Sequence, residues 1–383
     1  MKKLKILFIL KKRQDSNGYT PSHIGLSTGL YNSSTYVNDM LVAAGVDSQV
    51  EVVNDNNDID RVVTKHKPTH VIIEALWVVP SKFDVLCKLH PKVMWIIRLH
   101  SNFPFLANEG VAFQWIGEYV TYPTLFVALN SPRALEEIRY YCKEKMSWTN
   151  EETKERVIYL PNYYPQEYKT KPYHRHKEHI DISCFGAVRP FKNHVIQAMA
   201  AIEFADKIGK KLRFHINVGR IEQKGDAILK NLEYLFDSLA HCGHELIKHE
   251  WRPGENFIEL CGKMDIAMQV SLSETFNIVG ADSISQGVPV IGSAEIPWLS
   301  WLFTANPTSS KSIQRALMLT HLLPDINVKL NQCKLTSYTN ETEDVWLKYF
   351  DVHHHHKPHD CKGEEHTCED DCNHKKEKKD KKK

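Results

Sequence analysis

The feature of this 383-residue chain that most narrows its fold is an alternation of short apolar runs with longer amphipathic stretches, and the chain shows that alternation twice. The first series places strands at 4–10, 48–53, 70–76, 93–99 and 125–129, with helices near 29–44, 57–66, 81–89 and 132–145. A further strand at 157–160 runs into Pro161-Asn162, after which YYPQEYKTKPYHRHKEH (163–179) is polar and aperiodic. The second series places strands at 180–186, 212–218, 246–249, 266–270 and 288–292, with helices near 193–208, 227–242, 254–263 and 276–287. Such alternation predicts an α/β protein with parallel sheets and right-handed crossovers. The expected organisation is a Rossmann-like domain over 1–165, a linker over 166–179 and a second Rossmann-like domain over 180–335. Helices near 309–323 and 340–350 finish the globular part, the latter within a closing segment over 336–352, and a tail follows over 353–383.

Composition excludes several classes of function. Forty-nine basic residues against forty-seven acidic ones give no sequence-wide case for a nucleic acid or a membrane as partner. No run approaches the ~18 apolar residues of a membrane-spanning helix. The start, MKKLKILFILKKRQ, has the basic and apolar order of a secretory signal but no small-residue cleavage site, and Lys11-Lys12-Arg13 follow at once. It therefore reads as the first strand. Nine cysteines, of which the six in the first 352 residues form no compact framework, fit a reducing compartment, so a cytoplasmic location is expected.

Ser271 to Ser293, SLSETFNIVGADSISQGVPVIGS, combines an acidic loop, an amphipathic helix and a buried strand. Ser271 to Glu274 are suited to end a strand and cap a helix whose first turn is Phe276-Asn277-Ile278-Val279. A helix start carries unpaired N–H groups and can hold a phosphate, and open α/β sheets bind ligands at the carboxyl ends of their strands. Glu274 in the loop and Asp282, about two turns into the helix, are separated by on the order of 12 Å of helical rise. Gly186-Ala187-Val188-Arg189-Pro190-Phe191-Lys192-Asn193 ends the first strand of the second series and offers two cations, Arg189 and Lys192. In the first series, Arg98-Leu99-His100-Ser101 ends a strand, and the loop 15–29 closes in Gly25-Leu26-Ser27-Thr28-Gly29, where glycines let the backbone approach a ligand. Taken singly, each has an ordinary reading as a helix-start acid, surface charge, structural histidine or flexible loop.

Together they carry a resemblance. SETFNIVGADSISQGVPVIGS resembles the E-x7-E signature of the GT4-type retaining glycosyltransferases, with Asp282, one methylene shorter, as the second acid. Gly186–Asn193 is similar to that family's G-R-x-x-x-x-K segment, and Val157-Ile158-Tyr159-Leu160-Pro161-Asn162 to its IPN segment. The resemblance implies the GT-B fold: two Rossmann-like domains whose parallel sheets face each other across a cleft, with a last helix returning to the first domain on the apolar face Val345-Trp346-Leu347-Tyr349-Phe350. It also implies transfer of a sugar from a UDP- or GDP-sugar to an acceptor hydroxyl, with retention and with no cofactor required for catalysis.

In that reading Arg189 and Lys192 stabilise the departing diphosphate. Gly186 borders the donor, Glu274 holds donor-sugar hydroxyls, Asp282 holds the ribose, and the amides of Phe276, Asn277 and Ile278 hold the phosphates. His100 sits against the transferred sugar, with Ser27 and Thr28 on the acceptor side. The acceptor stays open among glycan, lipid, protein, small metabolite and modified nucleobase. Two rival readings keep the fold: a nucleotide-sugar 2-epimerase or phosphorylase-like enzyme, and a non-catalytic glycan- or partner-binding domain. Truncating Glu274 to Ala is expected to abolish turnover at a stability cost within about 1 kcal/mol, as for a surface residue.

The tail, 353–383, holds seven His, three Cys, nine Lys and eight acidic residues with no apolar periodicity. It buries too little to offset ordering, so disorder is expected. His353, His355, Cys361, Cys368 and Cys372 belong to a dense set of nitrogen and sulfur ligands able to chelate a transition metal weakly, at spacings that match no closed zinc module.

Overall fold

A computed structural model describes residues 3–12, 28–171, 178–252 and 254–352. The expectations for Ser27 and for the tail ligands His353, His355, Cys361, Cys368 and Cys372 lie outside these residues, as does the side chain of Thr28.

Eleven strands in two sheets carry the fold of the described residues. β1 (Lys5–Lys11), β2 (Asp47–Val53), β3 (His70–Glu74), β4 (Met94–Leu99), β5 (Leu125–Leu129) and β6 (Val157–Tyr159) make a sheet of order β2-β1-β3-β4-β5-β6. β7 (His179–Ser183), β8 (Lys211–Asn217), β9 (Glu245–His249), β10 (Ile266–Gln269) and β11 (Val290–Gly292) make the second, of order β11-β10-β7-β8-β9. All of these pairings are parallel. The apolar runs explain why: Ile6 to Leu10 of β1 are buried at every position, which suits a strand covered by helices on both faces. The expected α/β architecture of two parallel sheets is thus the one that forms.

Each sheet reverses its winding once, between β1 and β3 in the first and between β7 and β10 in the second. Open α/β sheets bind ligands in the crevice that such a reversal leaves at the carboxyl ends of the strands. The loops after β1, β3 and β4, and those after β7 and β10, are therefore the ones placed for function.

The helices depart from the sequence expectation in two ways. Short helices at Phe103–Leu106, Ala112–Tyr119 and Asn150–Arg156 occupy stretches without a clear apolar period. The last of these is set by a capping box, in which the Thr149 hydroxyl accepts from the Glu152 amide and the Glu152 carboxylate accepts from the Thr149 amide. At the other end of the chain, the short helix expected near 340–350 is the final part of one helix, Pro324–Tyr349. Its buried face includes Asn327, Asn331, Thr339 and Thr342, so hydropathy hides it. Asn327 pairs with both the amide and the carbonyl of Val290, at 2.9 Å each, and Asn331 accepts from the Ser300 amide at 2.9 Å. The end of this helix packs Trp346, Leu347 and Phe350 into the same apolar cluster as Ile6 and Phe8 of β1, so the chain closes back on its first sheet.

Candidate functional site

The loops at the two winding reversals line one cleft of about 810 Å³. From the second sheet come Gly186, Arg189, Lys192, Glu274, Phe276, Asn277, Ile278 and Asp282; from the first come Glu74 and His100. Residues proposed separately from the sequence are thus brought together. Of the acceptor-side pair, Ser27 is not described and Thr28 opens the helix Thr28–Ala43, whose Gly29 and Asn32 line the cleft.

Lys192 and Glu274 form the centre of the second-sheet wall. Beyond β7 the chain turns at Gly186, whose φ of +122° an L side chain rarely adopts; a Cβ there would also sit 3.2 Å from Cε of Lys192. A single turn, Pro190–Lys192, follows, and Asn193 holds it by donating to the carbonyls of Val270 at 3.1 Å and Pro307 at 2.7 Å. This directs the Lys192 Nζ to within 2.5 Å of Glu274 Oε1 and 3.2 Å of Gln269 Oε1. Both charged side chains are at least nine-tenths buried, 9% and 8% exposed. Burial alone would raise the pKa of Glu274, but Lys192 and Arg189 more than offset it and hold the carboxyl below its usual range. The expectation of a surface residue at 274 is therefore corrected: this is a buried ion pair at the edge of a cleft.

Arg189 lies beside this pair, 5.2 Å over the Phe105 ring from the first half of the chain and 3.5 Å from Glu222 Oε2. Arg220 donates through Nε to the other Glu222 oxygen at 2.7 Å and stacks 5.5 Å from the Trp251 ring. Glu222, absent from the sequence reading, thus binds two arginines of the cleft wall.

The helix expected to start at Phe276 starts at Ile278. Asn277 adopts the left-handed conformation (φ 63°) and caps the helix by accepting from the Gly280 amide at 2.7 Å, while its Nδ2 donates to Gln269 Oε1 at 2.9 Å. Phe276 instead buries its ring beside Tyr164, Trp298 and Tyr338, and its carbonyl accepts from Trp298 Nε1 at 2.7 Å. The first helical amides are those of Ile278 and Val279, which have no preceding helical carbonyl to donate to.

Asp282 consequently stands about one turn into the helix, not two. Tyr164 donates to its Oδ1 at 2.8 Å, and burial pushes its pKa up to about 7. A carboxyl whose pKa is raised in the folded state contributes stability that is fully present below its unfolded pKa and lost as pH rises through the folded one. Asp282→Asn is expected to flatten the fall in melting temperature between about pH 4 and pH 7. Thermal melts across that range check this, and an unchanged slope would assign the effect to another group.

The first-sheet wall is a polar network in which the sequence singles out His100, names Arg98 and Asn162 only as parts of their segments, and gives no sign of Glu74 or Asn130. Glu74, Arg98, Asn130 and Asn162 are all buried. Arg98 donates to both oxygens of Glu74, at 3.0 and 3.3 Å, and His100 Nε2 lies 2.5 Å from Glu74 Oε2. Asn130 Nδ2 reaches His100 Nδ1 at 3.2 Å and crosses the cleft to Thr275 Oγ1 at 3.1 Å, while Asn102 donates to the Glu274 carbonyl at 2.5 Å. Among the described residues no group of three or more His, Cys, Asp or Glu could hold a metal ion, and no helix is long and apolar enough to cross a membrane.

No known family and no curated protein matches the chain in sequence. Solved structures do match in shape. A glycosyltransferase from Rickettsia africae covers 92% of this chain and 99% of its own at 10% identity, with a TM-score of 0.61. Anabaena HepE, in complex with UDP and glucose, covers 91% and 98% at 12% identity and a TM-score of 0.60. A UDP-forming trehalose-phosphate synthase from Burkholderia xenovorans covers 91% and 99% at 11% identity and a TM-score of 0.62. Over nearly its whole length the chain shares their fold, GT-B.

Proposed function

We propose that the cleft transfers a sugar from a nucleotide-diphosphate sugar to an acceptor hydroxyl, as a GT4-like retaining enzyme would. One observation carries this reading: Arg189, Lys192 and the first amides of the helix Ile278–Ser285 border a single cleft with the Glu274 carboxylate among them. A breaking bond between sugar and diphosphate leaves negative charge on the diphosphate, and fixed cations and helix-start amides stabilise it as it develops. Glu274, ionised and held by Lys192, accepts hydrogen bonds from donor-sugar hydroxyls but is not free to swing to the anomeric carbon as a nucleophile. Retention then follows from attack on the face the diphosphate leaves, with that diphosphate taking the acceptor's proton. Asp282 lies toward the ribose, the second domain (180–335) serves the donor and the first (1–165) the acceptor. The Anabaena and Burkholderia proteins, the one bound to UDP and the other UDP-forming, support a UDP-sugar as the first donor to try.

Thermal melts of the full chain with UDP-, GDP- and ADP-sugars, paired with an assay of donor consumption, test the reading. Stabilisation by one nucleotide class with acceptor-dependent turnover is expected, whereas no stabilisation by any of them sinks it. Donor consumption without an acceptor would favour the epimerase reading. Arg189→Ala is expected to lower kcat by about 100-fold, with a smaller change in KM, because the cation chiefly meets charge formed in the transition state. Unchanged kcat would remove Arg189 from the mechanism.

A further inference from the structure

We propose that Glu74 and Asn130 are positioning residues that hold the His100 ring as its Nε2–H tautomer, so that His100 walls the cleft as a fixed neutral ring and accepts no proton during transfer. Parallel pairing sets Glu74 of β3 opposite Arg98 of β4, and His100, two residues on, returns to the same face. Arg98 cannot move, since it also donates to the carbonyls of Leu160 and Pro161, each at 2.9 Å, and to Asn162 Oδ1 at 2.6 Å.

Glu74 is fully buried, which alone would raise its pKa, but the Arg98 guanidinium 3.0 Å away leads the interactions that lower it, with hydrogen bonds from His100 and Arg98 beside it, and Glu74 stays a carboxylate. A carboxylate only accepts, so the 2.5 Å contact to His100 Nε2 requires a proton on that nitrogen; Arg98 Nη1, the other group facing Nε2, stands at 3.5 Å and spends its donors on Glu74. The other nitrogen is settled by Asn130. Arg98 turns the Asn162 oxygen inward, so Asn130 must present its NH2 group to that oxygen at 3.2 Å and, beside it, to His100 Nδ1 at 3.2 Å. The same NH2 group also lies 3.1 Å from Thr275 Oγ1, so its two hydrogens serve three neighbours; an NH2 group only donates, however, and offers a hydrogen on Nδ1 no lone pair, which leaves Nδ1 as the bare nitrogen of the ring. Burial and the Arg98 charge also disfavour the imidazolium, against the opposite pull of Glu74. Both ring nitrogens are thereby committed within the protein, and the acceptor's proton must leave by another route.

The kinetic consequence rests on the proposed glycosyl transfer, but the tautomer does not. Nitrogen-15 imidazole correlation spectra of the full chain, with His100 identified by the signals lost in His100→Gln, are expected to show a neutral Nε2–H ring between about pH 7 and 8 that protonates only below the range of a free imidazole. An Nδ1–H ring or an imidazolium in that range would overturn the inference. Asn130→Asp puts an acceptor against Nδ1, so the ring should become protonated at neutral pH and kcat should fall about 100-fold with KM nearly unchanged. Spectra like those of the wild type, or an unchanged kcat alongside a protonated ring, would show that Asn130 and the ring's charge do not govern transfer. If no nucleotide-sugar is consumed at all, the proposed function fails while the spectra still decide the tautomer.

Discussion

Glu274→Ala is expected to abolish turnover and at the same time to destabilise the fold by about 3–5 kcal/mol, the cost of leaving a buried charge without its partner. Lys192 Nζ is 2.5 Å from the carboxylate and otherwise reaches only Gln269 Oε1, at 3.2 Å, so truncation strands an ammonium group in a site almost closed to water. Glu274→Gln separates the two effects. The amide oxygen can still accept from Lys192, so most of the stability should be kept, while loss of the negative charge between the two cations should still slow transfer. Urea denaturation of both variants, read beside donor turnover, makes the comparison. An Ala variant as stable as the wild type would mean that the Lys192–Glu274 pair contributes nothing to folding, and an active one would remove Glu274 from the site.

That prediction reverses the expectation drawn from sequence, and the reason is instructive. The alternation of apolar runs made the strands legible because parallel strands buried on both faces are nearly continuous apolar runs. The motif residues were legible as a set because strand ends converge in this fold. Their environment was not legible: whether Lys192 is solvated or buried depends on Gly186 and Asn193 folding a turn over its stem. Asn277 did carry a signal, since Asn favours both the helix cap and the left-handed region, and weighing it would have moved the helix start from 276 to 278. Glu74 carried none. It falls inside the strand expected over 70–76, where the sequence names no partner for an acid, and Arg98 lies 24 positions away, brought opposite only by strand register. The helix Pro324–Tyr349 was hidden for a related reason, because its buried Asn327, Asn331 and Thr342 side chains bond to the backbone of other segments, where a hydropathy pattern expects Leu or Ile.

Arg98→Met should be the most damaging single change on the first-sheet wall, costing about 3–5 kcal/mol or more. It removes the partner of the buried Glu74 carboxylate and leaves the carbonyls of Leu160 and Pro161 without their donor from this side chain. It also removes a cation 5.2 Å over the Trp346 ring, whose Nε1 donates to the same Pro161 carbonyl, so the return of the last helix to the first sheet loosens as well. A double-mutant cycle with Glu74→Met distinguishes the contributions. If the ion pair dominates, the double variant should be destabilised by less than the sum of the two singles, since it strands neither charge. Additive losses would instead assign the role of Arg98 to its anchoring of residues 160–162. The two outcomes differ in what they mean for the cleft. Coupling would make Glu74 and Arg98 one unit that holds His100 in place, whereas additivity would make the His100 wall independent of the crossover between the sheets.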